Sequence, residues 1–512
     1  MNETASPLTV ALNGVPVEYG SLPPLDLDRL RSAILGEVGR GLRVASLFAL
    51  SSESLEGVEL LAVLADDESG NLRLGRAVVE GDSYPSLTPD CPQAHLFERE
   101  IAEQFGLRPE GHSWFKPVRF ARSMRAGHDA WNRSASEPVV AGDTQFYRVH
   151  GDEIHEVAVG PVHAGVIEPG HFRFQCHGEQ VFHLEIALGY QHRGVEEALL
   201  GGPHRATVHQ FETVAGDATI AHTWAYHQNL EALSETRVGA RAHVLRAIAL
   251  ELERLANHTG DLGALAGDVG FQPTMAFCGR LRGDFLNMTA ALCGSRFGRG
   301  LIRPGGTRFD LGAREIDELL GRLLRIEAEV TDAVELLWNT PSVQARFEGT
   351  GIVSRAQCIQ LGLVGPVARA CGIERDARTT HPIGMYQFVN IPLSTAHHGD
   401  VNSRAFVRWL EIRRSLQFVK QRLQKMPEPG ETRPKMSALK PDCLVVSLVE
   451  GWRGEVCHTA VTDARGKFRR YKIVDPSFHN WAGLAMALRN QQISDFPLCN
   501  KSFNLSYCGH DL

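Results

Sequence analysis

Val238-Gly239-Ala240-Arg241-Ala242-His243-Val244-Leu245-Arg246-Ala247-Ile248-Ala249-Leu250-Glu251-Leu252-Glu253-Arg254-Leu255-Ala256-Asn257 is the stretch whose spacing sets the architecture. Leu245, Ile248, Leu252 and Leu255 recur at intervals of three and four, which places them on one face of a helix. Outward from it the same period returns three times. Leu281, Phe285, Met288 and Leu292 mark a second helix, closed by Gly294. Ile316, Leu319, Leu320, Leu323, Ile326, Val330, Val334 and Leu337 mark a third, the longest, with Asp310 as its expected N-terminal cap. Phe406 to Leu423 reads as a fourth, broken by Pro427. The expected core is therefore a bundle of long helices.

The flanks have a different period. An irregular, strand-rich stretch from Val157 to Gly189 precedes the bundle. After it, Val445 to Val449, Glu455 to Thr462 and Phe468 to Val474 alternate with period two, the last two joined by Asp463-Ala464-Arg465-Gly466, and read as an antiparallel meander. Ahead of everything lies a smaller unit: a helix from Pro24 to Val38, strands Leu42 to Leu50, Val58 to Leu64 and Leu72 to Val79, and a helix from about Gln93 to Phe105 ended by Gly106 and Pro109. The turn Asp66-Asp67-Glu68-Ser69-Gly70-Asn71 joins two of those strands as a hairpin. From Arg122 to Thr144, around Ala126-Gly127-His128 and Arg133-Ser134-Ala135-Ser136, the apolar pattern stops, which reads as a linker. The expectation is an α+β, multidomain chain: a small α/β domain over 1–121, a linker over 122–150, and a mainly helical-bundle domain with a C-terminal antiparallel meander over 151–512.

Composition narrows the function. A chain of 512 residues, 43% hydrophobic and 22% charged, is ordinary globular material with enough apolar content for a large core. A net charge of -7 gives no attraction to nucleic acid. No apolar run reaches the ~18 residues that cross a bilayer, and no secretory signal is visible. Ten cysteines without a Cys-x-x-Cys pair suit reduced, buried thiols. No Gly-x-Gly-x-x-Gly follows a strand, so a nicotinamide would bind another subunit.

Several motifs carry a resemblance. His95-Leu96-Phe97-Glu98-Arg99-Glu100-Ile101-Ala102-Glu103-Gln104-Phe105-Gly106-Leu107 with Gly111-His112 is similar to the signature of the small peripheral-arm subunit of respiratory complex I. Read plainly, that charged helix is a solvated face with intrahelical pairs such as Arg99 with Glu103. Gly160-Pro161-Val162-His163 with Glu168-Pro169, then Gly189-Tyr190-Gln191-His192-Arg193-Gly194-Val195-Glu196, resemble the shared scaffold of the hydrogenlyase-type nickel-iron hydrogenase large subunit and the quinone-site subunit of complex I. So do Glu251 to His258 with Asp261-Leu262-Gly263, Gly362 to Gly372 with Asp376 and Arg378, Gly399 to Arg404, Glu450 to Glu455, and Pro476 to Trp481. The plain readings are an Arg193–Glu196 ion pair, a backbone turn at Gly365-Pro366, and Arg453 paired with Glu450 or Glu455.

The resemblance implies where a metal should be. In those hydrogenases two segments each bring two thiolates to one nickel-iron centre. Here the corresponding segments are Glu212-Thr213-Val214-Ala215-Gly216-Asp217-Ala218-Thr219-Ile220-Ala221-His222 and Ser502-Phe503-Asn504-Leu505-Ser506-Tyr507, and the four positions fall on Ala215, Ala218, Asn504 and Tyr507. None supplies a soft thiolate, so no nickel is expected. Asp217, His222, Cys508 and His510 are the donors a harder ion such as zinc would have. The complex I comparison implies a quinone headgroup between a histidine and a tyrosine. The tyrosine position falls on Gly216 and the histidine near Ile167 or Glu168, leaving His163, His171 and Tyr507 as substitutes and His222 as a further cavity candidate.

The expected function is a nickel-free, hydrogenase-like large subunit of a membrane-associated oxidoreductase complex, cytoplasmic and peripheral to the inner membrane. The resemblance implies that it holds no cofactor of its own, takes electrons from an iron–sulfur small subunit, with quinone as a candidate acceptor, and sits on antiporter-like membrane subunits. His163, Arg193, Glu196 and Arg453 are the candidate catalytic residues. The alternatives are a structural and coupling subunit without a substrate, and a zinc-dependent enzyme.

Overall fold

The computed structural model describes residues 6–52, 57–134, 136–164, 167–430 and 434–512; Ala135 of the expected linker lies outside them. Strands β1 (Thr9–Leu12), β2 (Val17–Glu18) and β3 (Pro24–Leu25) precede helix α1 (Leu27–Gly39). Asp26 caps α1 by accepting from the Arg29 amide at 2.7 Å. The strands β4 (Arg43–Ser51), β5 (Val58–Asp66) and β6 (Asn71–Val79) form an antiparallel sheet in the order β1-β6-β5-β4, with β3 added parallel to β6. The hairpin between β5 and β6 is the expected one, its Asp66 carboxylate accepting from Ser69. β7 (Ser83–Pro85), α2 (His95–Phe105) and β8 (Arg108–Glu110) complete this part.

Helix α2 is not solvated as its charges suggest. Glu98, Glu100 and Glu103 are buried, and their partners come from elsewhere in the chain. Glu98 accepts from Ser86 and Thr88, Glu100 takes Arg119 and Lys472, and Glu103 takes the Arg119 and Ala121 amides. Arg99 donates to the carbonyls of Lys116 and Pro117, at 2.7 Å each, instead of pairing along the helix with Glu103.

The second part opens with the sheet β11-β10-β9, built from β9 (Ile154–Val159), β10 (His171–His177) and β11 (Gln180–Ala187). Short helices α3 (Val195–Ala198) and α4 (Thr207–Phe211) lead into the bundle: α5 (Thr219–Leu233), α6 (Ala240–Asp268), α7 (Gln272–Cys293) and, after the β12 (Ile302–Arg303) and β13 (Gly306–Thr307) hairpin, α8 (Ala313–Trp338). Then come α9 (Pro341–Phe347), α10 (Arg355–Leu361), α11 (Gly365–Ala370), α12 (Ala377–Thr380) and α13 (Val401–Gln424). The apolar faces read from the sequence meet in one core that includes Leu245, Leu252, Leu281, Phe285, Leu323, Val330, Ile412 and Leu416. Asp310 does not cap α8, whose N-cap is Gly312; its carboxylate is held by Arg241 at 2.7 Å. Asp400 caps α13.

The meander is present as β14 (Cys443–Gly451), β15 (Gly454–Thr462) and β16 (Phe468–Val474), followed by α14 (Pro476–Ala487), α15 (Phe496–Phe503) and α16 (Tyr507–Asp511). It is not confined to the C-terminal part: β2 adds to its edge, pairing Val17–Glu18 with Leu444–Cys443. Leu444, Val446, Leu448, Cys457 and Phe478 share one apolar core with Phe48, Leu61 and Phe97 of the first part. The Arg43–Glu455 pair, both buried, crosses the same boundary.

Candidate functional site

The two segments that carry the four thiolate positions meet at the β14–β15 turn, which carries Trp452 and Arg453. Ala215 and Ala218 pack with Trp452 in a small apolar cluster of their own. The Trp452 indole N–H donates to the Asp217 carbonyl at 2.9 Å. Arg453 lies over the Trp452 ring, 3.9 Å from its centroid. Its guanidinium gives the Asp217 carboxylate two hydrogen bonds, of 2.5 and 2.8 Å, and the Asn504 carbonyl a third of 2.6 Å. Asn504, left-handed at φ 46°, turns its amide to Asp261 at 2.5 Å, and Arg408 holds the other Asp261 oxygen at 2.7 Å. Tyr507 is buried edge-on against Trp481, its ring where a side chain on Gly170 would stand. Two methyl groups under an indole, a turned-away amide and a phenol offer nickel no thiolate. The residues do not fit that centre.

Arg453 thus pairs with neither Glu450 nor Glu455, which take Arg369 and Arg43. Arg193 and Glu196 also part company. Arg193 donates to the carbonyls of Thr213, Val214 and Cys508, at 2.7, 3.1 and 3.0 Å, and so pins the two segments to each other. Glu196 points inward to Arg470, Lys472 and the Ile473 amide. Burial opposes its charge, but Lys472 and Arg470 outweigh burial and hold its carboxyl well below the usual range.

One side of the arrangement is open. Gly216 is exposed, and a Cβ there would meet nothing within 4 Å. Beside it Glu168 and Cys508 are each partly exposed, with the Cys508 amide donating to Glu168 at 3.3 Å. Burial raises both the Glu168 carboxyl and the Cys508 thiol. His163 is exposed shortly after β9, whereas His171 is buried at the start of β10 against the Gly160 carbonyl.

Behind the site runs a buried polar chain. His222 joins Asp475 at 3.0 Å and His458 at 3.1 Å; His458 joins Tyr471 at 3.1 Å, and Tyr471 accepts from Asn229 at 3.2 Å. With both rings neutral the donors run one way: Tyr471 O–H to His458, His458 Nε2–H to His222, His222 Nε2–H to Asp475. Burial, and then His222, hold His458 far below the usual histidine range. Glu253 on α6 accepts from the Ile220 and Ala221 amides at the start of α5. Burial foremost, with Asp217 adding to it, raises its carboxyl to about 8. The zinc reading loses its shared donor set: Asp217 binds Arg453, His222 binds Asp475, His510 binds Asp511, and Cys508 stands beside Glu168. No group of three or more His, Cys, Asp or Glu side chains placed to hold one metal ion occurs among the described residues.

Three of the remaining motifs, Glu251 to His258, Gly362 to Gly372 with Arg378, and Glu450 to Glu455, converge on one ionic core. Glu251 takes Arg254, Arg378, Tyr386 and Ser415; Glu411 takes Arg254, His258 and Arg369; Glu450 takes Arg369 and the Ala377 amide. All of these side chains are buried.

Residues 268–442 match the model of the respiratory-chain NADH dehydrogenase 49 Kd subunit, and residues 43–128 that of its 30 Kd subunit. The chain is 32% identical to the hydrogenase-4 component G of Escherichia coli over 84% of this chain and 77% of that one. It is also 32% identical to the carbon monoxide-induced hydrogenase of Rhodospirillum rubrum, over 68% and 97%. It belongs to the family of these hydrogenase and complex I large subunits. In fold the chain is similar, at TM-score 0.67 and 21% identity over 70% of this chain and 99% of the other, to a chain of the archaeal membrane-bound sulfane sulfur reductase. The chain is an oxidoreductase-complex subunit by family, and a relative 28% identical over 68% of this chain and 85% of its own is a membrane-bound hydrogenase subunit alpha of Pyrococcus furiosus. No helix among the described residues is long and apolar enough to cross a membrane.

Sequence reading missed Asp475, His458, Tyr471 and Glu411 as partners of the motif residues. Asp475 had a signal, standing directly before the Pro476-Ser477-Phe478 motif as the cap of α14. His458 and Tyr471 stand next to other polar residues within strands, where alternation reads only as inside and outside.

Proposed function

We propose that the chain is the large subunit of a membrane-associated oxidoreductase complex in which an Arg453–Asp217–Asn504 clasp stands where its hydrogenase relatives would place a metal. Electrons enter from an iron–sulfur cluster in a docked small subunit, and the acceptor meets the open side at Gly216. A quinone is the candidate acceptor: Glu168 and Cys508 are the titratable side chains beside that opening, and Gly216 leaves room for a ring. The antiporter-like membrane subunits are the proposed platform. The observation that carries the reading is the joint replacement of four soft ligands by Ala215, Ala218, Asn504 and Tyr507 within a complete scaffold. Purification of the tagged chain from its own membranes, followed by metal analysis and assay, tests it. The expected result is co-purification with an iron–sulfur subunit and quinone turnover without nickel. Stoichiometric nickel with hydrogen evolution overturns it.

The packing of Trp452 and Arg453 over the former ligand positions favours a second reading, a coupling subunit with no substrate of its own. Cys508 is the one cysteine among the described residues that is not buried, so its alkylation rate separates the two. Protection by quinone-site inhibitors supports acceptor binding, and an unchanged rate supports the coupling role.

A further inference from the structure

A second cavity, of about 400 Å³, opens between the 203–209 loop, α5 and the β12–β13 hairpin, away from the Asp217–Arg453 clasp. Pro203, Val208, Leu230, Pro304 and Met436 give it apolar walls. Two buried rings of α5, Tyr226 and His227, also line it, only 3% and 1% exposed. Tyr226 is stacked on Phe211 at 4.0 Å, and its hydroxyl has no hydrogen-bond partner among the described residues. His227 spends Nδ1 on the Thr223 carbonyl of its own helix, at 2.7 Å. That bond requires the proton on Nδ1, so a neutral ring keeps a bare lone pair on Nε2. Burial, and then Arg246, lower the ring's pKa to about 3 and keep it neutral. Nε2 has no partner among the described residues either.

Around the rim stand His204, Arg205, His209 and Arg303. Arg205 is exposed and makes no ion pair or hydrogen bond among the described residues. Arg303 is only 3.8 Å from Glu212, a carboxylate that His209 also approaches. The rim therefore carries unneutralised positive charge, and the floor carries one phenol and one imidazole acceptor. Both residues line the cavity, and solvent or a ligand there can complete their polar atoms.

We infer that this cavity binds a small organic anion bearing a hydroxyl group: its carboxylate meets Arg205 and Arg303, and its hydroxyl donates to His227 Nε2 while accepting from the Tyr226 phenol. A hydroxylated carboxylic acid supplies that set within one ring's size. A simple carboxylate satisfies the rim and leaves the floor unpaired. This inference is independent of the acceptor proposed at Gly216.

Isothermal titration of the full-length chain with 4-hydroxybenzoate and with benzoate tests it. A site that hydrogen-bonds a hydroxyl discriminates strongly against the analogue lacking it, so 4-hydroxybenzoate should bind 1:1 and at least about tenfold more tightly than benzoate. Tyr226→Phe keeps the stack on Phe211 and should shrink that preference to within about twofold. Arg205→Gln, at an exposed position that folding does not need, should weaken both probes by about three- to fivefold and leave their ratio unchanged. Equal affinities for the two probes, no saturable binding of either up to about 10 mM, or an Arg205→Gln variant that binds like the wild type would each overturn the assignment.

Discussion

Arg453 and Asp217 form a two-point ion pair, with hydrogen bonds of 2.5 and 2.8 Å, and Arg453 reaches on to the Asn504 carbonyl, so the pair ties the segment of Ala215 and Ala218 to that of Asn504. The Arg453 side chain is 5% exposed and that of Asp217 31%. Removing the carboxylate by Asp217→Ala leaves a buried guanidinium with the Asn504 carbonyl as its remaining partner. Breaking a fully buried pair costs about 3–5 kcal/mol, and the partial exposure of Asp217 lowers the expectation to about 2 kcal/mol. Urea unfolding measures it. A loss within the noise of the measurement would show that the clasp does not hold the two segments together.

How far this site could be read from sequence follows from the kind of signal each part leaves. The four long helices announce themselves because Leu245, Leu281, Leu323 and Ile412 sit on apolar faces with a period that packing preserves. The loss of soft ligands at Ala215 and Ala218 is likewise legible, since it depends on residue type alone. Partnership is not. Arg193 and Glu196 are neighbours in sequence yet serve opposite sides of the loop, one on carbonyls of the former ligand segments and the other on Arg470 and Lys472. Strand β2 is two residues long and has no period to detect, so the joining of the N-terminal part to the meander came only from the fold.

Restoring thiols at the first two positions should not restore a metal centre. In Ala215→Cys/Ala218→Cys each new sulfur meets Trp452 in a closed apolar cluster, and overpacking of this kind costs about 1–3 kcal/mol. Asn504 and Tyr507 still offer no thiolate. The double variant is expected to melt at a lower temperature and to carry no stoichiometric nickel by elemental analysis. Retention of nickel through a desalting column would show that the scaffold still defines the site.

Gly216→Tyr places a phenol in the opening, at the position where the complex I comparison puts one. A Cβ meets nothing within 4 Å there, so the substitution should change stability by no more than about 0.5 kcal/mol, the usual range for surface positions. If a quinone ring uses this opening, the added donor alters the KM for quinone in the purified complex. A variant that is stable and kinetically unchanged would move the acceptor away from Gly216.

Glu253 gives the fold a dependence on pH whose sign is set by its environment. Burial foremost, and Asp217 beside it, hold the folded carboxyl at about 8, against 4.5 for an unperturbed glutamate. Between those values the native chain keeps a proton that the unfolded chain releases, so stability falls as pH rises through the window and levels off above it. Glu253→Gln keeps one oxygen to accept from the Ile220 amide, the shorter of the two bonds at 2.7 Å, and removes the titration. The variant should match the wild type near pH 5 and exceed it near pH 9 by up to about 4 kcal/mol. Buried neutral histidines such as His95 and His479, both lowered to about 3 chiefly by burial, destabilise the fold as pH drops below 6.5. They act equally in both proteins and cancel in the difference. Denaturant titrations at the two pH values decide the matter: parallel stability curves would mean that Glu253 is already ionised in the native chain.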